Sequence, residues 1–130
     1  MKRRVFYIAS KWENKRKVAE LASVLERMGH VISHKWFAVE AAYMEDAPIH
    51  ARLDMYGVRD CTTFLALFDI DFPFLNAYVE LGMAVALRKE ILIIGQADTN
   101  CLFTRLEPPD ADIDRFDSVE QFLAYLSNED

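Results

Sequence analysis

The sequence predicts a single α/β domain over residues 1–130: a three-layer α/β/α sandwich with a mostly parallel five-stranded sheet, of the flavodoxin-like or Rossmann-like kind. Two features indicate this fold. Short β-branched and apolar segments alternate with segments of helical period along the chain. Segment 62–68 runs from two threonines into Phe-Leu-Ala-Leu-Phe, which is typical of a central parallel strand that is buried on both faces.

The first strand is predicted at residues 4–9, a β-branched and aromatic run. A polar loop at 10–14 leads into a helix that Gly29 ends as a C-cap. Residues 30–36 are less apolar and are predicted to form a strand at the edge of the sheet, whereas 37–45 lack a clean period and are predicted to be a loop or lid. The apolar face of the first helix consists of Val18, Leu21, Ala22, Leu25 and Met28.

The second helix is predicted to begin at Asp46 as its N-cap, with Pro48 in its first turn, and to run to about Asp60. A third helix follows the central strand at residues 76–87. The inner face of the second helix is predicted to consist of Ile49, Leu53 and Tyr56.

A fourth strand is predicted at residues 90–94, followed by a long polar connection at 96–112 and a short last strand at 113–116. Ser118 and Gln121 form a capping box at the start of the final helix. The apolar face of this helix consists of Val119, Phe122, Leu123 and Leu126.

The overall composition is typical of a soluble globular protein, with 52% hydrophobic and 28% charged residues. The net charge of -6 argues against a nucleic-acid partner, since phosphate binding requires a basic surface. No apolar run reaches the roughly 18 residues that span a membrane, so we expect a cytoplasmic protein without a membrane partner.

In a parallel α/β sheet, ligands bind outside the carboxyl ends of the strands, near the point where the strand order reverses. This rule brings residues 10–14, Trp36, residues 69–75 and Glu80 to one crevice. The loop at 10–14 leads to a helix N-terminus and could hold an anion, although an ordinary solvated helix start is the alternative.

Glu80 is the one carboxylate in the apolar helix at 76–87. With Asn76 as the helix cap, Glu80 lies about one turn in, where the helix dipole favours negative charge. We therefore expect an ionised, partly dry carboxylate that is suited to act as a nucleophile or general base. The alternative is a glutamate that leans out of the helix to pair with a lysine or arginine.

Sites that depend on a metal, a cofactor or another nucleophile find no support in the sequence. The loop after the first strand contains no glycine, so neither a dinucleotide fingerprint nor a P-loop is present. No serine lies in a GxSxG motif. Cys61 and Cys101 lie far apart and are predicted to be buried thiols. His30 and His34 would be about 13 Å apart on a strand, too far to bind one metal. We expect no cofactor and no metal.

His50 and Asp54 have the i,i+4 spacing that permits a hydrogen bond on the surface of a helix. The two side chains could therefore hydrogen-bond to each other.

Several motifs together resemble the nucleoside 2-deoxyribosyltransferase superfamily, which includes deoxynucleoside-monophosphate N-glycosidases. The first strand ends in Tyr-Ile-Ala-Ser before Trp-x-Asn, and the second reads Gly-His-x-Ile-x-His-x-Trp. The most specific motif is Val-Glu-Leu-Gly-Met-Ala-Val-Ala-Leu-x-Lys before the fourth strand. The match covers nearly the whole chain in order, including the closing Asp-Ser-Val-Glu-Gln-Phe-Leu.

The resemblance implies roles for three residues. Glu80 corresponds to the nucleophile of the family, Tyr7 to the tyrosine that orients it, and Asp54 to an aspartate that serves the leaving base. The family usually has Asp or Ser six residues before the nucleophile, often with a glycine motif just ahead, but here this position is Phe74. Candidate substitutes for the missing polar group are Asp69, Asp71 and Asn76.

The resemblance thus implies cleavage or transfer at the N-glycosidic bond of a (deoxy)nucleoside or its 5′-monophosphate. Retention of configuration is expected, because the glutamate first forms a covalent intermediate. A catalytically silent nucleotide-binding or sensor domain of the same fold is the alternative. Substrate contacts are expected from the first loop and from aromatic side chains, each of which could instead belong to the core: Ser10, Lys11, Trp12, Asn14, Trp36, Phe72 and Phe74.

The resemblance also implies a homodimer or larger homo-oligomer, since relatives commonly complete their sites across a subunit interface. The sequence has apolar residues around the second helix that could form this interface: Phe37, Tyr43, Met44, Met55 and Tyr56.

Overall fold

A computed structural model describes residues 1–40, 44–70 and 73–129. This part of the chain contains one five-stranded sheet in the order β2-β1-β3-β4-β5, and every neighbouring pair is parallel. The order is that of a flavodoxin-like doubly wound sheet, with the central position taken by β3 as the apolar run predicts. The strands are β1 (Val5–Ala9), β2 (Val31–Ile32), β3 (Thr63–Leu67), β4 (Glu90–Ile94) and β5 (Asp112–Phe116).

Four α-helices cover the two faces of the sheet, so the predicted three-layer α/β/α architecture is confirmed. α1 and α4 pack on one face through Leu21, Leu25, Phe122 and Leu126. α2 and α3 pack on the other face through Val58, Ala77, Leu81 and Ala84. The helices are α1 (Lys15–Arg27), α2 (Ala47–Asp60), α3 (Asn76–Ala86) and α4 (Val119–Ser127), with short 3-10 turns at Trp12–Asn14, Trp36–Ala38 and Phe103–Arg105.

The ends of α1 and α4 form as the sequence predicts. Gly29 has a φ of 97° just after α1, in the left-handed region that favours glycine at this position. At the start of α4 the Ser118 hydroxyl oxygen accepts a hydrogen bond of 3.1 Å from the Gln121 N–H. The Gln121 side chain reaches back one residue further than in a standard capping box and accepts from the Asp117 N–H.

The second strand is much shorter than predicted, because β2 contains only Val31 and Ile32. Ser33 ends it: its backbone N–H still pairs with Phe6, but its hydroxyl donates a 2.7 Å hydrogen bond across to the Gly57 carbonyl of α2. The chain then leaves the sheet and forms the turn Trp36–Ala38, so the prediction of a strand over 30–36 is wrong. The edge position of β2 is confirmed.

The predicted inner face of α2 is also wrong. Ile49, Leu53 and Tyr56 are 52%, 41% and 40% exposed, whereas Gly57 and Val58 are buried. The reason is that α2 turns Gly57 toward Tyr7 of β1 and Val58 into the core shared with α3, which leaves an apolar strip outside. Asp46 does precede the helix, but its side chain makes no capping hydrogen bond.

Both cysteines are free and buried, as predicted. At the amino-terminal edge of the sheet, Arg4 is 1% exposed and forms ion pairs with Glu90, at 2.8 Å, and with Glu129 after α4. Among the described helices, none combines the length and apolarity needed to cross a membrane.

Candidate active site

A cleft of about 410 Å³ opens at the carboxyl edge of the sheet, where α/β folds of this kind bind ligands. Its walls come from the loop after β1, from α2 and from the first half of α3. The residues that line it include Ser10, Lys11, Trp12, Glu13, Trp36, His50, Asp54, Asn76, Glu80 and Met83.

Glu80 lies at the floor of this cleft, one turn inside α3, with 7% of its surface exposed. The hydroxyl of Tyr7, a buried residue of β1, donates a 2.8 Å hydrogen bond to Glu80 Oε2. Within the described part of the chain, no lysine or arginine forms an ion pair with Glu80. The geometry is thus that of a carboxylate held inside a cleft, not that of a surface salt bridge.

The surroundings of Glu80 act against the ionised form that the sequence leads us to expect. Burial, reinforced by the nearby charge of Asp54, raises the pKa of Glu80 from 4.5 to about 8, and the hydrogen bond from Tyr7 only partly opposes this shift. Asn76 does not provide the expected cap, because it is the first residue of α3 and follows an N-cap at Leu75 that lacks a side-chain bond. The direction of this pKa shift opposes the expectation of an ionised Glu80 near neutral pH.

Asp54 reaches the same floor from α2, where it contributes to the raised pKa of Glu80 by charge and by hydrogen bonding. Its Oδ1 atom is buried and lies 3.4 Å from His34 Nε2, but has no hydrogen-bond partner among the described residues. His50 lines the cleft, but Asp54 Oδ1 does not accept the hydrogen bond from it that the spacing permits. His34 is close to Asp54 because the chain turns toward α2 after β2.

Gly57 allows α2 to approach β1 closely. A Cβ atom at this position would lie 2.7 Å from Tyr7 Cδ1 and 2.8 Å from His34 Cβ, both shorter than any ordinary contact. The contributions of Gly57 and His34 to the site were missed from the sequence. One signal was present, since a glycine inside a helix weakens it and often marks a close packing contact.

A hydrogen-bonded network joins the loop after β1 to the end of β3. The Ser10 hydroxyl donates to the Leu67 carbonyl at 2.8 Å and accepts from Asn14 Nδ2 at 3.0 Å. The same Asn14 amide donates to Asp69 Oδ1 at 3.1 Å, and Lys17 Nζ lies 2.6 Å from Asp69 Oδ2. Three sequence-predicted binding residues, Ser10, Asn14 and Asp69, thus bond to one another at the edge of the cleft.

Two tryptophans form an aromatic wall on the same side, with the ring centroids of Trp12 and Trp36 6.5 Å apart. Trp36 Nε1 donates to the Ile8 carbonyl at 2.7 Å, which fixes its ring at the end of β1. Lys15 Nζ lies 4.3 Å from the centre of the Trp12 ring, a cation–π distance.

Phe74, by contrast, is 2% exposed and packs in the core, with its ring centroid 4.6 Å from that of Phe68. Lys11 Nζ lies 5.3 Å from the centre of the Phe74 ring. Asp71 and Phe72, also predicted to contact substrate, lie outside the described residues, as does Tyr43 of the predicted interface. In the ranges that the structure describes, no group of three or more His, Cys, Asp or Glu residues could hold a metal ion.

Two solved structures resemble this chain over almost their whole length. The CMP N-glycosidase BcmB of Clostridium botulinum is 17% identical, with a TM-score of 0.63, and the match covers 97% of this chain and 99% of that one. A 2-deoxyribosyltransferase of Bacillus psychrosaccharolyticus is 18% identical, with a TM-score of 0.69, covering 99% and 93%. No family model matches the sequence, and neither does any curated protein. The likeness confirms the fold that the sequence motifs imply.

Proposed function

We propose that this chain is an enzyme that cleaves or transfers at the N-glycosidic bond of a (deoxy)nucleoside or its 5′-monophosphate. One observation carries the proposal: the Tyr7–Glu80 hydrogen bond of 2.8 Å lies on the floor of a cleft that also contains Asp54. The fold is shared with an N-glycosidase and a deoxyribosyltransferase, and the three residues are those that the sequence motifs assign to the reaction.

In the first step, a Glu80 carboxylate oxygen attacks the anomeric carbon of the sugar. The bond from this carbon to the base nitrogen breaks, and its electron pair leaves with the base, which takes up a proton from Asp54. The transition state resembles an oxocarbenium ion, which the negative charge of the carboxylate stabilises. The product is a glycosyl ester on Glu80 and a neutral free base.

This step requires an ionised Glu80 beside a protonated Asp54. Burial and the charge of Asp54 favour the protonated form of Glu80 and so oppose this arrangement. In the productive arrangement the proton is on Asp54, whose Oδ1 atom lies 3.4 Å from His34 Nε2.

In the second step, water or a second base attacks the glycosyl ester from the face that the first base left. The attacking group loses its proton to Asp54, and Glu80 is released as a carboxylate. Two inversions at the same carbon give overall retention. Attack by water makes the enzyme a hydrolase, whereas attack by a base makes it a transferase.

The walls of the cleft provide surfaces for the base and the sugar. Trp12 and Trp36 present aromatic rings, and a ring stacked on a nucleobase is favourable for any base. Lys11 and Asn76 also line the cleft and provide polar groups. We assign Ser10, Asn14 and Asp69 to the same binding region, where their network holds the first loop against β3.

A silent nucleotide-binding or sensor domain is the second candidate, and the raised pKa of Glu80 favours it. A carboxyl group that is mostly protonated at neutral pH is a poor nucleophile until substrate or pH ionises it. The absence of a lysine or arginine partner for Glu80 within the described residues favours the enzyme instead.

Incubation with purified deoxynucleosides and their monophosphates, with and without free adenine, separates these candidates. If the enzyme is a hydrolase, we expect chromatography to detect released base with and without adenine. If it is a transferase, we expect exchanged base only when adenine is present. Glu80→Gln protein provides the control for contaminating enzymes. If no substrate loses its base while ligands still bind, the sensor function replaces the enzyme.

A further inference from the structure

The helix α2 is attached to the sheet through its last turn. All fourteen of its residues are described, and of these only Gly57 and Val58 are buried. The preceding turns form one wall of the cleft, to which they contribute His50, Ala51 and Asp54. The contacts that Gly57 makes with the rest of the domain therefore fix where this wall lies.

Ser33 provides a polar contact that holds this turn against the sheet. Its hydroxyl donates a 2.7 Å hydrogen bond to the Gly57 carbonyl, which also accepts a bond of 3.1 Å from the Cys61 N–H within α2 and its cap. A carbonyl oxygen has two lone pairs and can accept both bonds. The Ser33 N–H donates to the Phe6 carbonyl at 2.9 Å, so the serine itself is fixed to β1.

The last turn of α2 also packs tightly against Tyr7. A Cβ atom at Gly57 would lie 2.7 Å from Tyr7 Cδ1 and 2.8 Å from His34 Cβ. The Tyr7 ring in turn stacks on that of Phe64, with the ring centroids 5.9 Å apart. Contact with Tyr7 thus limits how closely α2 approaches β1, and the Ser33 hydrogen bond limits how far α2 lies from it.

Asp54 depends on this arrangement for its own position. It precedes Gly57 by three residues on α2, which places the two residues on the same side of the helix, about one turn apart. Its carboxyl group lies on the floor of the cleft, close enough to raise the pKa of Glu80. The buried Oδ1 atom of Asp54 has no hydrogen-bond partner among the described residues. Because no hydrogen bond holds this oxygen, its place follows the position of the helix.

We infer that Ser33 is a positioning residue for Asp54, which it holds beside Glu80 by fixing the Gly57 carbonyl at the edge of the sheet. This inference rests on the proposed function, in which Asp54 gives a proton to the departing base. A general acid must lie within hydrogen-bond reach of the atom that it protonates, and a misplacement of about 1 Å can cost about 10²-fold in rate. The described residues that line the cleft do not include Ser33, so its effect on catalysis acts through α2.

The test measures kcat and KM for Ser33→Ala. The substrate is the one that the wild type cleaves fastest among the deoxynucleosides of adenine, guanine, cytosine and thymine and their 5′-monophosphates. We expect kcat to fall by about tenfold and KM to stay within about threefold, because the role of Asp54 is proton transfer and not binding. Ser23→Ala, which removes an exposed hydroxyl of α1, is the matched control and should retain the wild-type kcat. An unchanged kcat for Ser33→Ala, or an equal loss for Ser23→Ala, would overturn the inference.

A double-mutant cycle with Asp54→Asn separates the positioning of Asp54 from a general weakening of the fold. The rates are measured in single turnover with excess protein. In the Asp54→Asn background, Ser33→Ala should lower the rate by less than about twofold, because no general acid remains to be misplaced. A second tenfold loss in this background would mean that Ser33 acts through another group. That result contradicts the inference but leaves the proposed function intact.

Gly57→Ala tests the same contact from the side of the helix. The added Cβ atom should displace α2 from Tyr7, so we expect a loss of kcat that again nearly disappears in the Asp54→Asn background. Gly82→Ala is the matched control, since a Cβ atom at this position of α3 would meet no described atom outside the helix backbone within 4 Å.

Circular dichroism establishes that each variant is folded. A folded Gly57→Ala protein with the kcat of the wild type would show that catalysis does not depend on the position of α2, and the inference would fail. If Gly57→Ala does not fold, Ser33→Ala and its cycle decide the question. If the wild type releases no base from any of these substrates, the proposed function fails and this inference fails with it.

Discussion

The Tyr7 hydroxyl donates a 2.8 Å hydrogen bond to Glu80 Oε2, and this contact joins the first strand to the third helix across 73 residues of sequence. Burial and the neighbouring Glu80 carboxylate raise the pKa of Tyr7 well above its ordinary value of 10, so the phenol remains a neutral donor. It therefore stabilises the ionised form of Glu80 against the effects of burial and of Asp54, which favour the protonated form.

Tyr7→Phe removes this donor and should raise the pKa of Glu80 further. We expect kcat/KM to fall by roughly tenfold or more near pH 7, and its half-maximum on the acid side to move to higher pH. A pH–rate profile from pH 5 to 9.5 measures both effects. Tyr78→Phe is the matched control, since its hydroxyl bonds to Asn100. An unshifted profile for Tyr7→Phe would show that the bond does not tune Glu80.

Asp54→Asn should move the same profile in the opposite direction. Removal of a neighbouring negative charge lowers the pKa of Glu80, so Glu80 should be fully ionised at a lower pH than in the wild type. Turnover should nevertheless fall by roughly 10²- to 10⁴-fold for substrates whose base needs a proton to leave, because the general acid is lost. A substrate with a leaving group that needs no proton should be affected much less. Equal losses for both substrates contradict the assigned role.

The sheet and most helices could be predicted because local patterns determine them. Two local patterns indicate burial directly: the apolar run before Phe68, and the α1 face formed by Val18, Leu21 and Leu25. The end of the second strand could not be predicted in this way, because the strand ends where Ser33 bonds to Gly57 of a distant helix. A contact between residues far apart in the sequence cannot be recognised from the pattern of apolar and polar residues in either segment.

The central pair of the site, Tyr7 and Glu80, was predicted from the sequence, but the residues packed around this pair were not. Tyr7 and Glu80 belong to segments whose motifs resemble a known superfamily, and the fold brings them together. The contact of His34 with Asp54, and the need for Gly57 behind Tyr7, depend on how α2 packs on the sheet. The raised pKa of Glu80 likewise depends on three-dimensional burial, which outweighs the favourable position one turn inside the helix.

The exposed apolar strip on α2 predicts self-association. Ile49, Leu53, Met55 and Tyr56 are each at least 40% exposed, and an apolar surface of this kind is characteristic of an interface. We expect a homodimer of twice the 15.0 kDa chain mass at tens of micromolar by light scattering. Leu53→Lys should shift the mass toward the monomer, whereas Leu102→Lys, at a site 83% exposed elsewhere, should not. A wild-type monomer at this concentration contradicts the prediction.

Glu80→Gln should abolish the proposed reaction while the protein remains folded. The substitution keeps the size of the side chain but removes the nucleophile, so we expect a loss of several orders of magnitude in kcat, or about 4 kcal/mol or more of barrier. Circular dichroism and nucleoside binding by calorimetry should remain close to those of the wild type. Glu120→Gln, at an exposed position of α4, provides the matched control. Near-normal cleavage by Glu80→Gln would exclude Glu80 as the nucleophile.

The same variant should change how stability depends on pH. In the unfolded chain Glu80 ionises near its ordinary pKa of 4.5, whereas in the folded protein it holds its proton to about pH 8. Between these values the folded state binds more protons, so the wild type should lose free energy of unfolding on the order of 1 kcal/mol per pH unit, with no further loss above pH 8. Glu80→Gln lacks this loss. Urea unfolding at pH 5, 6, 7 and 8 should therefore show the variant gaining stability relative to the wild type as the pH rises. The exposed Glu20→Gln should follow the wild type, and a constant difference between Glu80→Gln and wild type across this window would mean that Glu80 is already ionised in the folded protein.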